Sequence, residues 1–510
     1  MGMPFVDLSH TEVAPDTAGL IPHALAARLL AIPLEHTDVA ATVAMVHPLD
    51  LGAVDELAMV TGLDIDPVLA GEDDLREALF RLYGAYDDLG DAVNTAVRGV
   101  GPQPASPAGG EGDEPPVGSV DLTDACDAAP VAKLANAVMA KAIAMRASDI
   151  HLEPQQRQVR VRFRIDGLMQ EVMTIPKDLQ QSLISRIKVS AGLDIAERRA
   201  PQDSRCTLTA AQGEFDLRVS TYPSVFGETV GIRILDKHTA AIDLQTLGMS
   251  RHVLGRLLPL LDEPQGLVIV TGPTGAGKTT TLYGALKHMN VVHRNIITIE
   301  EPVEYQLAGI TQGSVNPRAG VTFATGLRSI LRQDPDVILV GEIRDGDTAA
   351  IVVEAALTGH LVTTSLHAGD GASALTRLAD MGIEAFLLSA GVSGCVAQRL
   401  VRVVCPNCVE QYTPEPSALA RLGLDPSSSY VAGRGCEHCA KTGFRGRTGV
   451  FELLEITRDI RRMILAGKDA ASIKEEALAE GMIPLRGDAR EKVLGGITTV
   501  EEVIRVTSDR

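Results

Sequence analysis

A chain of 510 residues has the length of about three domains, and an apolar fraction of 45% is that of a globular protein. No apolar run approaches the roughly 18 residues of a membrane helix, and with no Trp and 3% aromatics the cores must be aliphatic. The formal charge of −19 is uneven: residues 1–124 hold four basic residues against 22 acidic ones, which leaves the remainder near neutral. That balance argues against a nucleic-acid partner; it suits a basic protein partner or a solvated acidic face.

In chain order, residues 1–20 carry Asp7, Glu12 and Asp16 and no basic stretch, so no signal peptide is expected and a cytosolic protein is the default. Residues 18–97 read as helical and amphipathic, as in Leu75-Arg76-Glu77-Ala78-Leu79-Phe80-Arg81-Leu82-Tyr83. A Pro/Gly/Ala stretch over 99–110, followed by acidic residues and Pro115-Pro116, cannot bury a core and reads as a flexible linker. The expected division is a first domain over 1–98, a linker over 99–120, a second domain over 121–238 and a third over 239–510.

The second domain opens with a helix predicted over 129–146 and continues in strands. Val159-Arg160-Val161-Arg162-Phe163-Arg164-Ile165 alternates strictly, apolar on one face and arginine on the other, and Asp166-Gly167 is a turn signal. Residues 215–221 and 229–235 repeat the alternation, which predicts a small α+β domain. In the third domain, 267–270, 296–299, 337–340 and 361–364 are unbroken apolar or β-branched runs, each followed by a helical stretch. That pattern predicts an α/β domain built on a parallel sheet buried on both faces.

The chemistry sits on these strands. Gly272-Pro273-Thr274-Gly275-Ala276-Gly277-Lys278-Thr279, followed by Thr280, matches G-x4-G-K-[ST] between a predicted strand and a predicted helix, the context of a P-loop. Its backbone N–H groups would close around ATP phosphates, Lys278 would reach the β- and γ-phosphates, and Thr279 would ligate Mg²⁺. The strand 337–340 ends in Gly341-Glu342, so Glu342 alone must position the metal's water or polarise the attacking one. Glu300, Glu301 and Glu304 crowd another strand tip; close carboxylates repel unless a cation or base chemistry uses them, which points to Mg²⁺ or water positioning. His360 and His367 flank one short strand and are expected at one edge, as sensors of the nucleotide state.

Downstream, Cys405-x2-Cys408 and Cys436-x2-Cys439 are separated by 27 residues, within a subdomain expected over about 400–450 that follows a predicted helix ending near residue 402. In a cytosolic chain such paired units are metal ligands more often than disulfides, and four thiolates suit a closed, structural Zn²⁺ site. Cys126, Cys206 and Cys395 are expected to pack as small apolar residues.

The segments 272–279, 298–305, 333–345 and 359–367, in this order, resemble the Walker A, Asp-box, Walker B and His-box of the type II secretion and type IV pilus assembly ATPases. Upstream, Ser148-Asp149-Ile150-His151-Leu152-Glu153-Pro154, Pro201-Gln202-Asp203-Ser204-Arg205 and Asp216-Leu217-Arg218-Val219-Ser220-Thr221 match as well. The resemblance implies a RecA-like ATPase domain, preceded by a PAS-like α+β domain that carries Arg205 and Arg218 as arginine fingers, and by a mainly helical first domain that docks on an inner-membrane platform. It implies a cytoplasmic homo-hexamer, peripheral at that membrane through its partners, with ATP, Mg²⁺ and Zn²⁺. The family's Asp-box reads Glu-Asp-Pro; Glu301 stands here for the Asp, which puts more weight on Glu300 and Glu304. The cysteine tetrad and the long N-terminal region resemble the assembly and secretion branches rather than the retraction branch. Some relatives bind cyclic di-GMP through a repeat with an early Arg-Leu-Gly; that element is missing, so this ligand is not expected. A DNA-uptake or conjugation motor and a non-hydrolysing nucleotide-switch scaffold are the alternatives.

Overall fold

Six consecutive buried residues, Gly266–Thr271, with equally buried runs at Val337–Val340 and Leu361–Leu366, form the centre of the larger sheet in a computed structural model of the chain. The structure describes residues 20–71 apart from 22 and 38, residues 119–121, 130–210, 212–236 and 243–507, with isolated positions elsewhere in the first hundred. The linker 99–118 and Cys126 lie outside the described residues. The chain divides into two compact units, Met1–Ile234 and Leu235–Arg510.

The first unit begins with strands β1 (Ala31–His36), β2 (Ala40–Met45) and β3 (Asp64–Leu69), joined in the order β1-β2-β3, with helices His23–Leu29 and Leu51–Thr61. The expectation of a mainly helical first domain therefore needs correction over 31–69. Pro33 and Pro67 are poor helix residues, and Ala31 with Val43 and Met45 is buried on one face of a small sheet while Ile32 and its partner Ala44 are buried on the other.

The same unit then carries β4 (Ser119–Asp121), β5 (Ala147–Pro154), β6 (Gln158–Ile165), β7 (Leu168–Pro176), β8 (Gln202–Ala210), β9 (Gly213–Ser224) and β10 (Gly227–Asp236), in the order β4-β8-β9-β10-β5-β6-β7. Residues 119 and 120, expected in the linker, are thus strand, parallel to β8. The alternation in β6 buries Val159, Val161, Phe163 and Ile165 and leaves Arg160, Arg162 and Arg164 on the other face. Helices Pro130–Ala144 and Gln180–Ser190 supply Leu134, Val138, Leu183 and Ile187 to the same core.

The second unit is an α/β RecA-like domain. It contains β11 (Gly266–Thr271), β12 (Ile296–Glu300), β13 (Thr311–Ser314), β14 (Val337–Val340), β15 (Leu361–Leu366), β16 (Val392–Val404), β17 (Val409–Tyr412), β18 (Tyr430–Gly433) and β19 (Phe444–Glu455). Its main sheet runs β13-β12-β14-β15-β11-β16-β19, parallel from β13 to β16, with β19 antiparallel at the edge. Apolar layers cover both faces, one centred on Ile269, Ile338 and Val362 and the other on Val268, Leu339 and Leu361. Residues 392–404, expected to end a helix, are instead the longest strand of the domain. Five valines in that stretch favour an extended backbone, and ten partners in β19 hold it there. Among the described residues no helix is long and apolar enough to cross a membrane.

Candidate active site

In a parallel sheet the loops that leave the carboxyl ends of the strands gather on one edge, and ligands bind there. The loop after β11 is the P-loop, and the helix Lys278–Met289 starts directly from it. Its conformation demands glycine at two positions. At Gly272 (φ 155°) a Cβ would stand 2.6 Å from the Gln398 carbonyl oxygen, and at Gly277 (φ 85°) 2.9 Å from the Gln398 amide. Pro273, Thr274, Gly275 and Thr279 are exposed, while Ala276 is buried beneath them. The Lys278 ammonium donates to the carbonyl oxygens of Gly272 at 2.9 Å and Pro273 at 3.2 Å. Burial pushes it below the ordinary lysine range; Glu342 opposes that shift and Arg399 adds to it.

The neighbouring strand ends bring the other candidates to this edge. Ile299 pairs with Val340, so Glu301 and Glu342, each two residues further on, leave adjacent strands side by side. Arg344 folds back across them and pairs with both carboxylates. It raises no periodicity signal in the sequence and was not among the expected site residues. His367 Nε2 lies 3.7 Å from the other Glu342 oxygen. The loop that carries His367 is tied to the P-loop strand, because Thr271 Oγ1 donates to the Ala368 carbonyl at 3.1 Å and accepts its N–H at 3.0 Å. Ser365 Oγ donates to the Gly341 carbonyl at 2.7 Å, which fixes the β14 tip against β15.

Two expectations change. His360 does not share an edge with His367. The parallel pairing of Gly266 with Leu361 and of Thr271 with Leu366 sets His360 at the amino end of β15, about 20 Å from the P-loop edge. There its Nδ1 lies 3.0 Å from the Ala355 carbonyl. The three carboxylates of the acidic run also part company. Glu301 is exposed and pairs with Arg344, whereas Glu300 is only 3% exposed, enclosed by Tyr283, Thr298 and Gln312. Glu304 is half-buried, and its N–H donates to the Tyr283 hydroxyl at 3.3 Å. Gln398, buried on β16, accepts from the Thr281 hydroxyl at 2.6 Å and so braces the first turn of the P-loop helix.

In the first unit Arg205 on β8 and Arg218 on β9 are direct cross-strand partners, so both side chains leave the same face of the sheet. Cys206, next to Arg205, is buried in the opposite face, and burial pushes its thiol up to about 11. Like charges directly opposed on two strands repel unless negative charge offsets them.

The cysteine tetrad lies in a 39-residue excursion, 405–443, between β16 and β19, closed at its base by the pairing of Val404 with Phe444. Its four sulfurs lie within 4.8 Å of one another. Cys405–Cys436, Cys408–Cys439 and Cys436–Cys439 are 3.9, 3.8 and 3.7 Å apart. Four thiolates about 2.3 Å from a tetrahedral zinc stand about 3.8 Å apart, and a disulfide needs about 2.05 Å, so the donor set fits the ion and not two disulfides. The backbone passes itself closely here, since a Cβ on Gly433 would come 2.0 Å from the Gly443 oxygen. The excursion is anchored by Arg402, whose guanidinium lies 3.9 Å from the Phe444 ring centroid and donates to Glu502 on the helix Val500–Thr507 at 2.9 Å.

Residues 124–505 match the family model of the type II/IV secretion system proteins, and residues 1–88 match that of the MshEN domain. The chain belongs to the type II/IV secretion system protein family. It is 50% identical over 391 residues to the type II secretion system protein E of Dickeya dadantii, an alignment spanning 77% of this chain and 78% of that one. It is 41% identical to the type IV pilus assembly ATPase PilB of Myxococcus xanthus, over 99% of this chain and 89% of the relative. The fold is shared with the ATPase DotB of Legionella pneumophila, with a TM-score of 0.54 at 19% identity over 72% of this chain and 93% of the other.

Proposed function

We propose that this family member is an ATP-hydrolysing motor that powers the assembly of a type II secretion pseudopilus or a type IV pilus. The observation that carries the reading is the convergence on one sheet edge of the P-loop, Glu342, His367 and the acidic loop, with Lys278 and Glu342 within electrostatic reach of each other. In this reading the P-loop, 272–280, cradles the phosphates and Lys278 turns from the Gly272 carbonyl to the β- and γ-phosphates. Exposed Thr279 is the Mg²⁺ ligand, and Glu342 is the residue that polarises water. His367 senses the γ-phosphate end of the site, while His360, at the far end of β15, keeps only a structural part.

Arg205 and Arg218 supply the arginine fingers. Their side-by-side placement on one face favours a shared anion, as a guanidinium pair on a transferring phosphoryl group requires. Cys405, Cys408, Cys436 and Cys439 would hold one Zn²⁺, which closes the excursion and takes no part in hydrolysis. The working form is a homo-hexamer, cytoplasmic and held at the inner membrane by platform proteins that the first domain, 1–98, engages. Glu342→Gln tests the catalytic assignment: ATP binding should persist while phosphate release falls at least about 100-fold. Turnover near the wild-type rate would exclude Glu342 from that role.

A further inference from the structure

Glu300 heads the acidic run, yet it is among the most enclosed carboxylates of the domain, on the last residue of β12. Both of its oxygens are occupied. Oε2 accepts from the Tyr283 hydroxyl, and Oε1 accepts from the Thr298 hydroxyl at 2.6 Å and from the Gln312 amide at 3.3 Å. Among the described residues no cationic side chain pairs with it. A carboxylate that is 3% exposed and already takes three neutral donors has little left to offer a metal or an attacking water.

Tyr283 stands at the centre of this network. It lies five residues into the helix that begins at Lys278, about one and a half turns from the phosphate cradle, and is 2% exposed. While its hydroxyl donates to Glu300, the same oxygen accepts the Glu304 N–H at 3.3 Å and the Gln312 amide at 3.4 Å. Its ring meets Tyr305 edge-on, with centroids 4.6 Å apart and planes at 82°. Burial and the adjacent Glu300 carboxylate hold the phenol well above its ordinary range, so the proton stays on the oxygen and the donor role is permanent. One hydroxyl therefore joins the P-loop helix, the end of β12 and the loop 301–305.

We infer that Tyr283 and Glu300 are a positioning pair, through which the P-loop helix sets the place of the acidic loop, and that Glu300 is neither a metal ligand nor a base. The inference rests on the ATPase reading above. The loop so placed presents Glu301 beside Glu342 and Arg344. A shift of this loop would therefore change the metal-facing carboxylates without altering the phosphate cradle.

The experiment compares Tyr283→Phe and Glu300→Gln with wild type in the full chain. It measures phosphate release against ATP and against Mg²⁺, binding of a fluorescent ATP analogue, and thermal melting. Tyr283→Phe keeps the ring stack and removes the hydroxyl; kcat should fall about tenfold and the Mg²⁺ half-saturation rise severalfold, with analogue affinity held within about twofold. Glu300→Gln keeps an oxygen for Thr298 and a polar group for Tyr283, and should retain at least about a third of wild-type kcat. A purely structural role would lower the melting temperature and leave the Mg²⁺ dependence in place. Wild-type kcat and Mg²⁺ dependence in Tyr283→Phe would overturn the pair. So would a Glu300→Gln chain that folds and is as inactive as Glu342→Gln, because the charge itself would then be chemical. A wild-type chain that releases no phosphate overturns the ATPase reading and the pair with it, so the two failures are distinguishable.

Discussion

The attachment of the cysteine excursion can be tested through one carboxylate, Glu502. Its side chain is fully enclosed and takes four donors: the Arg402 N–H at 3.0 Å, the Arg402 guanidinium at 2.9 Å, and the Arg505 guanidinium at 2.8 and 2.6 Å. Burial opposes its ionisation, but the hydrogen bonds from Arg505 and Arg402 outweigh that cost and hold the carboxyl down at about 2, against an ordinary 4.5. A depressed carboxyl stabilises the fold at every pH above its unfolded value and loses that contribution as the pH falls from about 4.5 to about 2. The difference amounts to about 3 kcal/mol at pH 7. Glu502→Gln removes the charge at near-constant volume and leaves two guanidinium groups facing a neutral amide. For a domain of this size the loss should lower the melting temperature by about 5 °C at pH 7. By pH 3 the gap between variant and wild type should close to less than half of its pH 7 value. Calorimetric melts of both chains at the two pH values decide the matter. A gap of equal size at pH 3 and pH 7, or one below about 1 kcal/mol at pH 7, would refute the account.

Two further outcomes follow from the site geometry. His367→Ala should lower ATP turnover at least about tenfold, whereas His360→Ala, at the far end of β15, should leave kcat within about twofold; equal losses in steady-state phosphate release would contradict the strand register. Wild-type protein should contain about one zinc per chain by atomic absorption. Gly433→Ala, whose methyl would collide with the Gly443 carbonyl, should carry well under half of that while binding a fluorescent ATP analogue normally; full zinc occupancy in the variant would remove the close approach from the account.

Much of this was legible in the residues, for reasons that differ from one element to the next. The four buried strands announce themselves because a sheet covered on both faces needs unbroken apolar runs, and the P-loop because only glycine tolerates the backbone at 272 and 277. The acidic run showed where carboxylates gather but not that Glu300 turns inward, since that depends on Tyr283 and Gln312 converging from other elements onto it and Thr298 of its own strand. Arg344 lay in plain view two residues after Glu342, yet nothing local says that it reaches across to Glu301 on the adjoining strand. The histidines could have been separated by arithmetic alone: a six-residue strand between them puts them at opposite ends. The five valines of 392–404 were the signal for a strand, and the misreading came from their mixture with Ser, Gly, Ala, Gln and Arg, which carries no clean period. In the first domain, short strands between short helices blur any helical period.

The closing pair at the foot of the cysteine excursion has a consequence for how such motors diverge. Val404 and Phe444 still pair at the foot of the ladder that begins at Gly394 and Glu455, one residue out of its register after an irregularity past Arg402, so the sheet does not need the detour between them. A tight turn could join the two strands there and leave every ATP-facing loop where it is. The four-cysteine knuckle is thus an appendage that ancestry can add or discard at a single hairpin, and a difference in accessory equipment between two machines need not touch the engine they share.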